Sequence, residues 1–209
     1  MLPTHALIGV ALALPVTVLS PEFASSAVLA GLLGGIFPDF DMYLGHRKSL
    51  HYPTYYSGLA IVAVPLSVLI PTTLTVAVSF LLIGAAVHSV MDIFGGGLEL
   101  RSWEATSDRA VYDHYRSQWL APRRWIRYDG APEDLLLSFV VAILLLIALD
   151  GVFRWVVLLS IIVAAVYTAV RRTLPTLAVL LVERFLVPIL PEQVLANVPA
   201  RYLQDSSLQ

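Results

Sequence analysis

The chain alternates long apolar runs with short polar breaks, and the breaks fall at residues that end helices. Thr4 can cap an apolar helix predicted from about His5 to Leu19, which ends at the turn Ser20-Pro21-Glu22. A second run, from about Ala24 to Phe37, stops at Pro38. It carries Gly31, Gly34 and Gly35, small residues that let helix backbones approach closely in lipid. A third helix is expected over about Ser57–Ile70, broken by Pro71, with Tyr52, Tyr55 and Tyr56 forming an interfacial belt just before it. A fourth runs from about Thr72 to Phe94 and ends in Gly95-Gly96-Gly97. Leu98 to Pro132 is polar and aromatic and reads as a membrane-face segment. Asp134 can cap a fifth helix to about Leu149, and Asp150-Gly151 turns into a sixth over about Phe153–Val170. The first two runs are shorter than the roughly 20 residues that cross a bilayer, which suggests a tilted or buried hairpin. The stretch Leu174–Leu190 is interrupted by Glu183-Arg184 and Pro188. It reads as a seventh span or an interfacial helix, with the second favoured.

Composition sets the class. Of 209 residues, 58% are hydrophobic and only 13% are charged, with a mean hydropathy of +0.79. A soluble domain carries roughly a quarter charged residues. The expected fold class is therefore an all-α polytopic membrane helical bundle. It has about six transmembrane or membrane-embedded helices plus the C-terminal interfacial helix, in one integral-membrane domain over residues 1–190, and a loose tail over 191–209. The N-terminus has no basic region before its first apolar run, which reads as a retained helix and not a cleaved signal peptide. A formal net charge of −2 speaks against a nucleic-acid partner. The absence of cysteine excludes disulfides, thiolate ligands and thiol nucleophiles. If all six helices cross, Arg47, Lys48, Arg101, Arg109, Arg116, Arg123, Arg124, Arg127, Arg171 and Arg172 share one side, and Arg154 stands alone on the other. The positive-inside rule makes the first side cytoplasmic, in an inner or plasma membrane.

Chemistry-bearing residues gather at the polar breaks on that side. Between Pro38 and His51 lie Asp39, Asp41, His46 and His51, hard oxygen and imidazole ligands of the kind that zinc or manganese accepts. His88 and Asp92, spaced i and i+4, share one face at the end of the fourth helix, and His5 enters from the first turn of the first. Taken singly, His5 could be a surface histidine, Asp39 a turn cap, and His46 and His51 part of a solvated loop. His88 and Asp92 differ, because ionisable groups in an apolar helix cost roughly 2.5–3.5 kcal/mol each for the charged types. Topology alone thus brings seven ligands together: His5, Asp39, Asp41, His46, His51, His88 and Asp92. That exceeds one tetrahedral site, so two metals bridged by Asp92 or Asp39 are plausible. Asp108, Asp113 and His114 form a weaker cluster that reads as solvated surface or outer support for the ligands.

The motifs Thr4-His5 with Gly9, Pro38-Asp39-Phe40-Asp41, His46-Arg47 with His51, and His88-x-x-x-Asp92 resemble the YdjM-type, LexA-regulated inner-membrane proteins described as metal-dependent hydrolases. They cover roughly the first 95 residues in that family's order. The family's His-Arg-Gly-x-Thr-His-Ser is here His46-Arg47-Lys48-Ser49-Leu50-His51-Tyr52, with the histidine spacing kept and the hydroxyls displaced. More distantly, the pattern is similar to zinc-dependent phospholipase C and P1-type nucleases. The resemblance implies a membrane-bound, metal-dependent hydrolase, with zinc expected first and manganese second. Metal-activated water removes the need for a serine or cysteine nucleophile. Asp39 and Asp92 are the expected catalytic carboxylates. Arg47, with Lys48, either holds a phosphate or sets topology. The expected partner is membrane lipid, with a phospholipid or other phosphoester as substrate. The competing reading is a non-catalytic membrane protein with a structural or transport-related metal.

Overall fold

Proline sets where the helices begin. The computed structural model describes residues 2–42 and 45–195. Its helices are α1 (Leu2–Leu12), α2 (Leu14–Leu19), α3 (Ala24–Ile36), α4 (Pro53–Leu69), α5 (Thr73–Met91), α6 (Pro132–Ala148), α7 (Gly151–Val170), α8 (Leu174–Leu181) and the short α9 (Glu192–Leu195). Pro3, Pro53 and Pro132 all occupy first turns, where a missing N–H costs nothing. The first and third of the expected helices therefore start earlier than their apolar periodicity suggested, and Tyr55 and Tyr56 belong to α4. Thr4 and Asp134, expected as caps, lie inside first turns instead. Pro15, near the start of α2, divides the first apolar run at Ala13.

Thr4 and Asp134 face each other across the bundle. The Thr4 hydroxyl donates to Asp134 Oδ1 (2.5 Å) and lies 2.8 Å from Ser138 Oγ, while Asp134 Oδ2 accepts from the Gly130 N–H at 2.8 Å. All three side chains are buried. Thr4→Val keeps the shape and leaves Asp134 and Ser138 short of a partner. Its expected cost is about 1–3 kcal/mol, read from unfolding of the detergent-solubilised protein.

Turns of 3-10 helix lengthen two of the expected segments. Pro38 does not end the second run, because the chain continues as a 3-10 turn over Phe37–Asp41; another such turn, Asp92–Phe94, follows α5. Four stretches among the described residues are then long and apolar enough to cross a membrane: Leu2–Leu19, Pro21–Asp41, Thr73–Phe94 and Gly151–Val170. The first two are thus not too short to span. Four of the six expected helices reach spanning length; α4 and α6, with 17 residues each, fall just short, so six spans are not established. The 174–190 stretch is broken into α8 and a π-helical turn, Val182–Leu186, each too short to cross. Of the tail expected to be loose, residues 196–209 lie outside the described residues.

Helix α3 lies between α1 and α5, α4 packs on α5, and the α6–α7 pair closes against α1. Much of the interior is small: Ala6, Ala13, Ala27, Ala30, Ala85 and Ala142 are buried. Large apolar side chains such as Ile61, Leu69, Leu74, Ile147 and Leu159 point outward. That inversion is costly in water and natural in hydrocarbon, where packing of small residues holds helices together.

The architecture is nearly, not wholly, α-helical. Strands β1 (Val111–Asp113) and β2 (Gln118–Leu120) form an antiparallel hairpin with Tyr112 opposite Trp119. Three-residue strands leave almost no alternation to read, and the turn relies on Ser117 at φ +53°. The hairpin straps the 45–51 loop: the Tyr112 N–H donates to the Arg47 carbonyl (2.9 Å), and His114 Nε2 lies 2.7 Å from the Lys48 carbonyl. Asp113 is buried, not solvated, and accepts from the Thr54 hydroxyl at 3.0 Å.

Candidate metal centre

Four elements converge at one end of the bundle. The 3-10 turn after α3 supplies Asp39 and Asp41, the strapped loop supplies His46, Arg47 and His51, the end of α5 supplies His88 and Asp92, and α1 supplies His5. Donor atoms of Asp39, His51, His88 and Asp92 all lie within 4.8 Å of one another. His51 Nε2 is 3.1 Å from Asp92 Oδ2 and 3.6 Å from Asp39 Oδ1. His88 Nε2 is 3.4 Å from Asp39 Oδ1 and 3.6 Å from Asp92 Oδ2. Tetrahedral zinc with bonds of roughly 2.0–2.1 Å holds neighbouring ligand atoms about 3.3 Å apart. The spacing therefore suits a small divalent ion.

The hydrogen bonds fix each imidazole for that role. His88 Nδ1 donates to the Gly35 carbonyl (2.7 Å), which turns the Nε2 lone pair toward the two carboxylates. His51 Nδ1 is 3.0 Å from Asp41 Oδ2, which does the same for His51. Asp41 is fully buried and also receives the backbone N–H groups of Leu50 (3.0 Å) and Arg47 (3.2 Å), and His46 Nδ1 at 3.1 Å. Asp41 thus orients the loop's histidines and stands behind the four-residue group. Asp41→Asn, which keeps the shape, is expected to weaken divalent-metal affinity by roughly 10–100-fold in a competitive chelator titration.

What remains unsatisfied points the same way. Among the described residues, His51 Nε2, His88 Nε2, Asp92 Oδ2 and both ring nitrogens of His5 are buried and make no well-formed hydrogen bond, although Asp92 Oδ2 lies close to both His51 and His88. Leaving so many buried polar atoms unpaired is expensive unless a cation completes them. Burial disfavours a charge on His51, yet Asp41 and Asp92 beside it raise its pKa to about 9.

His5 stands at the edge of the group, with Nε2 3.6 Å from Asp92 Oδ1 and its ring 4.0 Å from the His88 ring. Asp92 therefore presents one oxygen to His51 and His88 and the other to His5. His46 is partly exposed and bonded to Asp41, outside the four-residue group. Arg47 is buried at φ +59°, an uncommon backbone for a non-glycine residue. It donates to the Gly96 carbonyl at 2.7 Å, with Nε 3.4 Å from Asp92 Oδ2.

A cavity of about 440 Å³ opens beside the group, with Asp39, Asp92, His5 and Arg47 in its wall. Two contributors were not legible as site residues. Glu99 lines the cavity with both carboxylate oxygens buried and without a hydrogen-bond partner among the described residues. The available signal was Gly97, read only as part of a helix stop: a Cβ there would lie 2.4 Å from Glu99 Oε2. Opposite, Arg171 donates to Asp129 Oδ1 (3.0 Å) and to Ser102 Oγ (2.6 Å). Burial works against the Asp129 carboxylate, but the neighbouring guanidinium helps hold its pKa down, at about 2.

The fold and centre together define a multi-helix protein with apolar spans and a buried His2Asp2 group able to hold a metal ion. No protein-family model, curated protein or solved structure matches the chain.

Proposed function

We propose that the protein is a membrane-bound, metal-dependent hydrolase that cleaves a phosphoester, akin to the YdjM-type proteins its motifs resemble. The observation that carries this reading is the cavity against the ligand group: a structural metal is enclosed by its ligands, whereas a catalytic one keeps an open position. The ligands also cluster at one end of the bundle, which disfavours transport, where ion sites lie near the midplane on broken helices. Arg47 and the arginines of the 98–132 segment belong to that same end, the cytoplasmic one by charge bias.

Zinc is the first expectation, which His51, His88 and Asp92 would hold with the cavity side beside Asp39 left to water, and manganese the second. A divalent ion held by these residues would supply Lewis acidity toward a phosphoryl oxygen and a bound water. Asp39 is the most open of the four residues, at 16% side-chain exposure. Its Oδ1 is turned to His51 and His88, and its Oδ2 would accept the proton of an attacking water. That water's oxygen joins phosphorus, one P–O ester bond breaks, and the proton passes to the leaving alcohol oxygen. Arg47 would orient the phosphoryl group, and Asp92, with one oxygen toward His51 and His88 and the other toward His5, would hold the ion.

The test is metal analysis of the purified protein, with phosphoester and phospholipid hydrolysis measured beside Asp39→Ala. Expected are bound zinc or manganese, turnover in the wild type, and loss of turnover in the variant. Bound metal with no turnover on any phosphoester would favour the structural reading.

A further inference from the structure

We infer that the substrate is a phospholipid drawn sideways from the bilayer, with its acyl chain against α7 and α8 and its head group at the metal centre. The inference rests on the proposed hydrolase for its chemistry, but its binding claim stands on the shape of the cavity. The cavity is lined by Asp39, Asp92, Arg47 and Glu99 and, from α1, α7 and α8, by the apolar Leu2, Val163, Leu174, Pro175 and Ala178, with Tyr167 and Arg171 beside them. A water-soluble phosphoester would leave the apolar lining facing empty space. An acyl chain covers it, and each buried CH2 contributes about 0.8 kcal/mol. Half of the residues of α7 are exposed, Val163 among them, along a stretch long and apolar enough to span, so the apolar lining is continuous with surface suited to lipid.

The polar lining adds a head-group preference. Among the described residues, both oxygens of Glu99 are buried without a hydrogen bond, and the Arg47 guanidinium, 3.4 Å from Asp92 Oδ2 through Nε, lines the same cavity. The guanidinium suits a phosphate oxygen. The carboxylate suits a hydroxyl or ammonium on the head group, without which it stays desolvated and unpaired. Phosphatidylethanolamine and phosphatidylglycerol both carry such a donor, and phosphatidylcholine does not.

The experiment is native mass spectrometry of the full chain in detergent micelles with phosphatidylethanolamine, phosphatidylglycerol or phosphatidylcholine, with metal content measured in parallel. The wild type is expected to retain the first two lipids over the third. Ala178→Trp, which fills the apolar side of the cavity, should retain at least tenfold less while binding as much metal. Leu177→Trp, beside it on an exposed position of α8, should behave as the wild type. In a measurement that needs no variant, phosphatidylethanolamine with a photoreactive acyl chain should label the α8 peptide. Labelling confined to other helices, no lipid retained by the wild type, or full retention by a metal-loaded Ala178→Trp would overturn the inference. Lipid retained as described but never cleaved would overturn the hydrolase and leave the lipid site standing.

Discussion

His88→Ala is expected to strip the protein of its metal, with affinity falling at least about 100-fold, while the helical bundle stays folded. The imidazole Nε2 lies 3.4 Å from Asp39 Oδ1 and 3.6 Å from Asp92 Oδ2, so its loss leaves one imidazole and two carboxylates that repel one another. The structural cost is small by comparison. Nδ1 loses a single hydrogen bond to the Gly35 carbonyl, worth about 1 kcal/mol, and the cavity left is polar enough to admit water. Metal content per chain and helical circular dichroism, measured on one preparation, separate the two effects. Leu69→Ala is the control, because that side chain is exposed at the last residue of α4, outside the ligand group. Wild-type metal content in His88→Ala would remove this histidine from the site; a collapse of helicity would mean that it holds the bundle together instead.

The readable part of this site was the part encoded in helical spacing. His88 and Asp92, one turn apart in an apolar helix, announce themselves because ionisable groups there are costly. His51 and Asp39 were readable as ligand types, but their partners were not. Nothing in Asp39-Phe40-Asp41 says which carboxylate joins the group and which stands behind His51; that depends on a 3-10 turn whose direction tertiary contacts decide. Helix starts were missed where proline sits in a first turn, at Pro3, Pro53 and Pro132, because apolar periodicity begins only later in the run. The hairpin over 111–120 left no trace, since its strands are too short to alternate and it is held by the loop it covers. Glu99 was hidden for a related reason. Its burial comes from a fold-back over Gly97, and one carboxylate in a polar segment looks like any other.

Gly31→Ala is expected to be strongly destabilising, costing about 3 kcal/mol or more, at or above the upper end for overpacking. A Cβ at Gly31 would lie 2.2 Å from the Gly9 carbonyl oxygen, and one at Gly9 would lie 2.1 Å from the Gly31 carbonyl oxygen. Neither neighbour is a side chain that can rotate away; both are backbone inside helices. Helix α5 closes the same junction, since a Cβ at Gly84 would meet the Gly31 carbonyl oxygen at 2.8 Å. Relief therefore requires α1 to part from α3 by about an ångström or more along its whole packed length, and dispersion energy is lost steeply over such a gap. The intrinsic gain in helix propensity from Gly to Ala, about 1 kcal/mol, is too small to offset this. Gly58→Ala on α4 measures that gain alone, because nothing lies within 4 Å of a Cβ there. Thermal unfolding in detergent should show the two substitutions shifting stability in opposite directions. The same displacement reaches the metal centre, because Gly35, one helical turn beyond Gly31, packs against the His5 carbonyl and lends its own carbonyl to His88. Gly31→Ala should thus loosen metal binding although it touches no ligand, and Gly58→Ala should leave it unchanged. Equal stability of the two variants would mean that α1 and α3 do not cross at backbone contact, and His5 would then have no rigid support for its place beside Asp92.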